Sequence, residues 1–294
     1  MPYSFLLTDQ SVQSALRRIA GEELSAMLAN FSGPAPLSPK SVHDTRKHIK
    51  KIRSLIRLVR DGFHTYAAEN KVLRDAGRQL SGPRDRTVVL ATFDTLMGRA
   101  DAHEEVTALR VEISESTEAQ ANASYDDLEP ILYALHDRVQ DWQIKGDDVM
   151  LLLNGLSTTR SNARKAMRLA HRHPDPEVFH EWRKRTKDLW YQSRLLSPIW
   201  PEVMKPLNQA ADTLGESLGQ HHDLSVLQAR VKALPSNLRL DVARADLFDR
   251  VLQAQTAIAA TAFPLGARLF AGDPDAITRQ WLSWWKTWRA QAIS

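Results

Sequence analysis

A ten-residue pattern recurs in this chain with its Pro, His, Arg and final Lys in the same places. Ser38-Pro39-Lys40-Ser41-Val42-His43-Asp44-Thr45-Arg46-Lys47 is matched 137 residues later by Asp175-Pro176-Glu177-Val178-Phe179-His180-Glu181-Trp182-Arg183-Lys184, His on His and Arg-Lys on Arg-Lys. An internal duplication is the first expectation, because whatever the first copy packs against, the second should find as well. Each copy opens with a Ser or Asp suited to an N-cap and a Pro suited to the first helical position, so each should start a helix at the same residue and carry its His at the same helical angle. Gly77, Leu80, Asp85, Val88 and Val89 correspond to Gly215, Leu218, Asp223, Val226 and Leu227 at an offset of 138, which one inserted residue explains.

Helix is the only strong period along the chain. Apolar residues recur at three and four over 11–30, 39–60, 64–81, 86–119, 125–145, 147–172, 176–196, 201–219, 222–233, 239–263 and 275–292, and no sustained alternation suggests a sheet. The breaks are short runs of Gly, Pro and Asp. An all-α domain over 1–294 with two helical halves, 1–146 and 147–294, is the simplest architecture. Asp85 and Asp223 should each follow a turn and cap the apolar helix after it, with a structural clamp on a neighbouring Arg as the second reading.

Placing residues at 100° per step from His43 puts Arg46, Lys50, Arg53 and Arg57 within about 80° on one side and Lys47 about 40° away on the other. Ile49, Ile52, Leu55, Ile56 and Val59 gather opposite, which gives that side something to bury. His180, Arg183, Lys187 and Arg194 repeat the face with Lys184 beside it, but Trp190 stands where the first copy has Arg53. The second copy should therefore bind less strongly or use its indole for packing.

At 1.5 Å per residue, His43 to Arg57 is a cationic ribbon roughly 20 Å long. Residues 40–60 hold eight Lys or Arg and one Asp, where a merely solvated helix would interleave Glu with Lys. Two such ribbons suit a long, flexible polyanion better than a compact metabolite. A further stripe, Arg160, Arg164, Lys165, Arg168, His171 and Arg172, should fold back at Pro174 against residues 176–196 and pool its charge with them. Arg17 and Arg18 offer a weaker counterpart in the first half.

The net charge of +4 hides an uneven distribution: residues 94–148 carry fourteen acids against Arg99, Arg110, Arg138 and Lys145. That arrangement focuses positive potential locally and repels polyanions elsewhere. The absence of Cys removes disulfides, thiolate metal sites and Cys nucleophiles and fits a reducing compartment. No apolar run is long enough to cross a bilayer, so no membrane association and a cytoplasmic location are expected.

The His-x-x-Arg-x-x-x-Lys-x-x-Arg ribbon from His43, its partial repeat from His180, and the Arg84-Asp85 and His222-Asp223 segments resemble the CHAD family, the conserved histidine α-helical domain, over nearly the whole chain. The resemblance implies two pseudo-symmetric four-helix bundles whose basic faces line a central groove or pore that binds inorganic polyphosphate. It also implies that His43, Arg46, Lys47, Lys50, Arg53, Arg57, His180, Arg183, Lys184, Lys187 and Arg194 make that contact, with Arg160, Arg164, Lys165 and Arg168 added by the stripe described above. A standalone, non-catalytic polyphosphate binder, with no cofactor and with storage, granule targeting or regulation as its setting, is the resulting expectation.

Arg would supply bidentate forks to phosphate oxygens and Lys mobile point charges, with affinity falling steeply as salt rises. Protonation of the two His predicts tighter binding below about pH 6.5. Two rivals are weaker. His43-Asp44 and His222-Asp223 superficially match ligands of helical metal-dependent phosphohydrolases, yet neighbours on a helix diverge by about 100° and His43 sits among cations. Nucleic acid would be attracted, weakly at least, but no recognition motif accompanies the ribbons, and Trp281, Trp285 and Trp288 at i, i+4, i+7 read as core packing.

Overall fold

The computed structural model describes residues 3–31, 37–80, 82–98, 104–118, 125 and 127–291, with the side chains at 82–86 and 117–118 left aside. The described residues form eleven α-helices and no strand. These are α1 (Val12–Ala29), α2 (Pro39–Leu58), α3 (Tyr66–Gln79), α4 (Gly82–Met97), α5 (Glu104–Glu118), α6 (Leu128–Val139), α7 (Asp148–Arg172), α8 (Pro176–Leu195), α9 (Pro201–Lys232), α10 (Asp241–Leu269) and α11 (Pro274–Ala290). No helix among the described residues is long and apolar enough to span a membrane.

The two helices that carry the matched pattern start at the expected residues, but only the first makes a side-chain cap bond. Ser38 accepts the Ser41 amide through its side chain at 3.0 Å, ahead of Pro39; Asp175 sits in extended conformation ahead of Pro176, without a side-chain cap bond. α6 stops at Val139 and α10 runs on to Leu269, short of and beyond the periodic reading, and two junctions differ in kind. The segment 86–119 contains two helices, and Gly98, at φ +73°, ends the first in the left-handed region that favours Gly. Conversely, 201–219 and 222–233 are one continuous helix, α9, since Gln220 and His221 continue the turn without a breaker. Asp223 therefore lies in a helix interior and caps nothing; the Asp85 side chain falls outside the described residues.

One large core takes residues from α1, α2, α3, α6, α7, α8, α11 and the facing ends of α9 and α10. A second, smaller core joins Val89 and Phe93 of α4, Leu109 and Ile113 of α5, Leu224, Leu227 and Val231 of α9, and Leu247 and Val251 of α10. Hydrophobic burial is thus shared between helices from both sides of residue 147. Trp281, Trp285 and Trp288 are 3, 6 and 8 % exposed and belong to the large core, with Trp285 edge-on to Phe5 at 4.9 Å.

At the centre α2 crosses α8. Ser54 and Gln192 are fully buried there: Ser54 donates through Oγ to the Asp188 carbonyl at 3.2 Å, and Gln192 donates to the Ser54 carbonyl at 3.3 Å. The segment before α1 ties the two together, with the Tyr3 hydroxyl donating to the Lys51 carbonyl at 2.8 Å and the Phe5 amide to the Leu195 carbonyl at 3.0 Å. Beside this crossing α7 meets the end of α2 almost backbone to backbone, because a Cβ at Gly155 would overlap the Leu58 carbonyl. Gly155→Ala should therefore destabilise the protein by about 1–3 kcal/mol in urea unfolding, although Ala is ordinarily the better helix former. Unchanged or raised stability would mean that α2 and α7 separate freely.

Candidate functional site

The amphipathic reading of α2 fixes what the ribbon presents. Val42, Ile49, Ile52, Leu55 and Ile56 are buried, which leaves His43, Lys47 and Lys50 exposed and Arg46, Arg53 and Arg57 half-buried on the other side. Arg46 donates to the Leu80 carbonyl at 2.8 Å and Arg53 to the Asn70 side-chain oxygen at 3.0 Å, acceptors just after and on α3. Arg57 reaches across the α2–α8 crossing to ion-pair with Asp188.

On α8 the same face lies along α9, and two glycines one helical turn apart make room for it. The Arg183 guanidinium sits over Gly219, 3.1 Å from where a Cβ would stand, and the Lys187 stem covers Gly215, 2.7 Å from the equivalent point. Lys187 pairs with Asp212 at 3.0 Å and Glu216 at 2.6 Å. Glu216 is held below its ordinary value by the hydrogen bond from Lys187, then by the charges of Lys187, Arg183 and Lys50, against the opposing effect of burial. Lys50 belongs to α2 and the other two cations to α8, so charges from both ribbons act on this carboxylate, with Lys187 in direct contact. Lys184 pairs with Glu181 at 2.5 Å. Trp190 lies under Lys187 at 4.3 Å and Arg194 at 4.9 Å, so its indole packs the cations of its own ribbon through their charge.

Where the α2 ribbon ends, a cavity of about 290 Å³ opens between α2, α3, α7 and α8. Four guanidiniums line it, from Arg53, Arg57, Arg60 and Arg185, with Asp61 and Asp188 as its carboxylates. The remaining polar lining comes from Tyr66, Asn70, Thr158, Thr159 and Asn162. Burial, and then the neighbouring Arg57, pushes the Arg53 guanidinium below its ordinary value. Asp188 is raised by burial even with Arg57, Arg185 and Arg53 around it. Neither Arg60 nor Arg185 belongs to the duplicated face, and the signal for both was only their place in basic stretches.

The α7 stripe does not join this arrangement. Thr158 and Asn162 face the cavity, and Arg160 and Arg164 follow each by two residues, about 200° around the helix. Arg160 is 4 % exposed, donates to the Leu269 carbonyl at 2.9 Å and lies 5.4 Å over the Trp281 ring; burial lowers it to about 10. Arg164 donates to the Gly272 carbonyl at 2.9 Å. Lys165 and Arg168 are exposed, and Arg168 borders Phe263 and Pro264 on the α10 side. α7 does fold back at Pro174 against α8 as expected, but its basic stripe faces α10 and α11 instead of pooling with the α8 face. Arg17 and Arg18 are likewise structural: Arg17 donates to the Trp142 carbonyl at 2.7 Å, and Arg18 pairs with Asp9 at 2.7 Å and with Glu22.

The family model of the CHAD domain matches residues 18–232, and the chain belongs to the CHAD domain family. It is similar to the crystal structure of the CHAD domain from the plant Ricinus communis, with 17 % identity over 96 % of each chain and a TM-score of 0.61. It is also similar to PptA from Streptomyces chartreusis, with 12 % identity over 92 % of this chain and 100 % of the other and a TM-score of 0.65. At these identities the likeness is one of fold. No curated protein matches the chain.

The His180 ring stacks on His222 at 4.0 Å, and the His221 ring on Phe179 at 3.9 Å. Burial lowers His180 from 6.5 to about 4, helped by His222, Lys184 and Arg183; burial and His222 do the same to His221. His180 of the free protein is therefore neutral at pH 6.5, and its contribution to anion binding belongs nearer pH 4 than the sequence suggests. Because the unfolded chain protonates these rings first as pH falls, stability should be lost between pH 6.5 and about 4. Urea unfolding of the His180→Asn, His221→Asn double variant should show a flatter pH dependence across that window. An unchanged slope would assign the acid sensitivity to other groups.

Proposed function

We propose that this protein binds inorganic polyphosphate along the paired basic faces of α2 and α8 and that it holds the polymer without cleaving it. The observation that carries the reading is the crossing of α2 and α8, which brings their basic faces close enough for Lys50 of one and Arg183 and Lys187 of the other to act on the same carboxylate, Glu216. Cations brought together against their own repulsion favour a ligand that supplies negative charge along its length. Membership of the CHAD family, whose resemblance implies polyphosphate as ligand, supports the same choice.

A phosphate chain entering here would displace Glu216 from Lys187 and take over its partners. Arg183 offers a planar fork and Lys50 and Lys187 offer point charges, a set that reads charge density and not sequence. Nucleic acid carries the same charge at wider spacing and should compete weakly. A cytoplasmic setting and the absence of phosphohydrolase activity belong to the same proposal; polyphosphate incubated with Mg²⁺ or Mn²⁺ should release no orthophosphate.

Calorimetric titration of long-chain polyphosphate and of single-stranded DNA, matched in charge and repeated across salt, tests the reading. Polyphosphate binding should persist at salt concentrations where DNA has dissociated. Lys50→Glu with Arg183→Glu should weaken it more than tenfold and reduce the salt slope by about 2, with helicity retained. Equal affinity for both polymers would make the surface a general anion sink, and an indifferent double variant would place binding on another face.

A further inference from the structure

The arginine cavity at the end of α2 differs in kind from the open ribbon that leads to it. Its base is shut. Gly155 lets α7 press against the Leu58 carbonyl behind it, Thr159 is 3 % exposed, and the Asp188 side chain is only 14 % exposed. The rim is the accessible part, with the side chains of Arg60 and Arg185 exposed by 48 and 27 %. At about 290 Å³ it equals roughly ten waters at their share of liquid volume, enough for a compact oxyanion but not for a polymer that must leave again.

Its charge is also specific. Four guanidiniums face two carboxylates, a balance of +2. Asp188 is shared between Arg57 and Arg185, and Asp61 lies 3.6 Å from Arg60, whereas Arg53 is met by the neutral Asn70 side chain. An internal unit of a phosphate chain carries one negative charge. The last unit has a second ionisable oxygen, with a pKa of about 6 by analogy with a phosphate monoester, and is close to doubly charged at pH 7.

We propose that this cavity receives the doubly charged terminal phosphate of a polyphosphate chain, so that the protein recognises chain ends as well as chain length. The inference rests on the polyphosphate reading above and adds a polarity to it. In the 137-residue register Arg53, Arg185 and Asp188 correspond to Trp190, His48 and Lys51. In place of an open cationic cavity, His48 and Lys51 close on the buried Glu23, at 2.5 and 2.8 Å. An acid of the protein already occupies the position an anion would take. One end of the chain is therefore held in the Arg53 cavity, and the rest runs back along α2 toward Lys50.

The test compares polyphosphate of one chain length carrying free ends with the same length capped at both ends as alkyl phosphoramidates, with pyrophosphate as a third ligand, all by calorimetry at pH 7.5. Capping should weaken binding about tenfold, and the difference should shrink below pH 6 as the terminal unit loses its second charge. Pyrophosphate should bind once per protein and compete with the free-ended chain. Arg60→Ala with Arg185→Ala, checked against Arg185→Lys as the milder change, should abolish the discrimination between free and capped chains. Tight and equal binding of both chains to the wild type would overturn end recognition while leaving polyphosphate binding intact. Failure of both chains to bind would overturn the underlying reading. Pyrophosphate binding without any effect of capping would make the cavity a site for free compact phosphates and overturn the chain-end assignment.

Discussion

The crossing of α2 over α8 is the contact on which the other features depend. It is polar where a core is ordinarily apolar: Ser54 and Gln192 are fully buried, and each spends a hydrogen bond on the backbone of the opposite helix. Such bonds are costly to leave unmade, so they fix the register of the two helices more narrowly than interchangeable aliphatic contacts would. With the register fixed, Arg57 finds Asp188, the arginine cavity takes its shape, and Lys50 comes within the field of Glu216.

The two ribbons are alike in sequence and unlike in electrostatics. The acids that meet α8 are numerous: Glu181 with Lys184 and Arg185, Asp212 and Glu216 with Lys187. On α2, Asp44, Glu23 and Asp188 pair with Lys40, Lys51 and Arg57, while Arg53 donates to the amide oxygen of Asn70, which orients the guanidinium. Trp190 sets the two apart, because an indole packs Lys187 and Arg194 where a guanidinium would have added charge. On both helices, therefore, an incoming anion must displace carboxylates from some of the cations, as from Arg57 on α2 and Lys187 on α8.

What could be read from the chain follows how local its cause is. The starts of α2 and α8, the buried apolar side of α2 and the cationic face opposite it come from caps and periodicity, which neighbouring residues decide among themselves. The continuity of α9 was hidden because the apolar period lapses at Gln220 and His221 while the helix does not. The stripe on α7 had the right period and the wrong neighbour: helical angle is written in the sequence, but the helix it faces is set by packing. Arg185 was invisible as a cavity residue because its value comes from Arg53 and Arg57, more than a hundred positions earlier in the chain and brought beside it by the crossing.

α9 runs for 32 residues, about 48 Å, and is buried in the large core at Met204, Leu214 and Leu218 and in the small one at Leu224, Leu227 and Val231. A chain severed between α6 and α7 would accordingly not yield two half-sized proteins. The first fragment would keep α4 and α5 but lose the surfaces that cover Phe93 and Ile113, and the second would carry a bare apolar flank on α9 and α10. The matched pattern runs along the chain in two places, whereas the interior is shared: each half completes the core of the other.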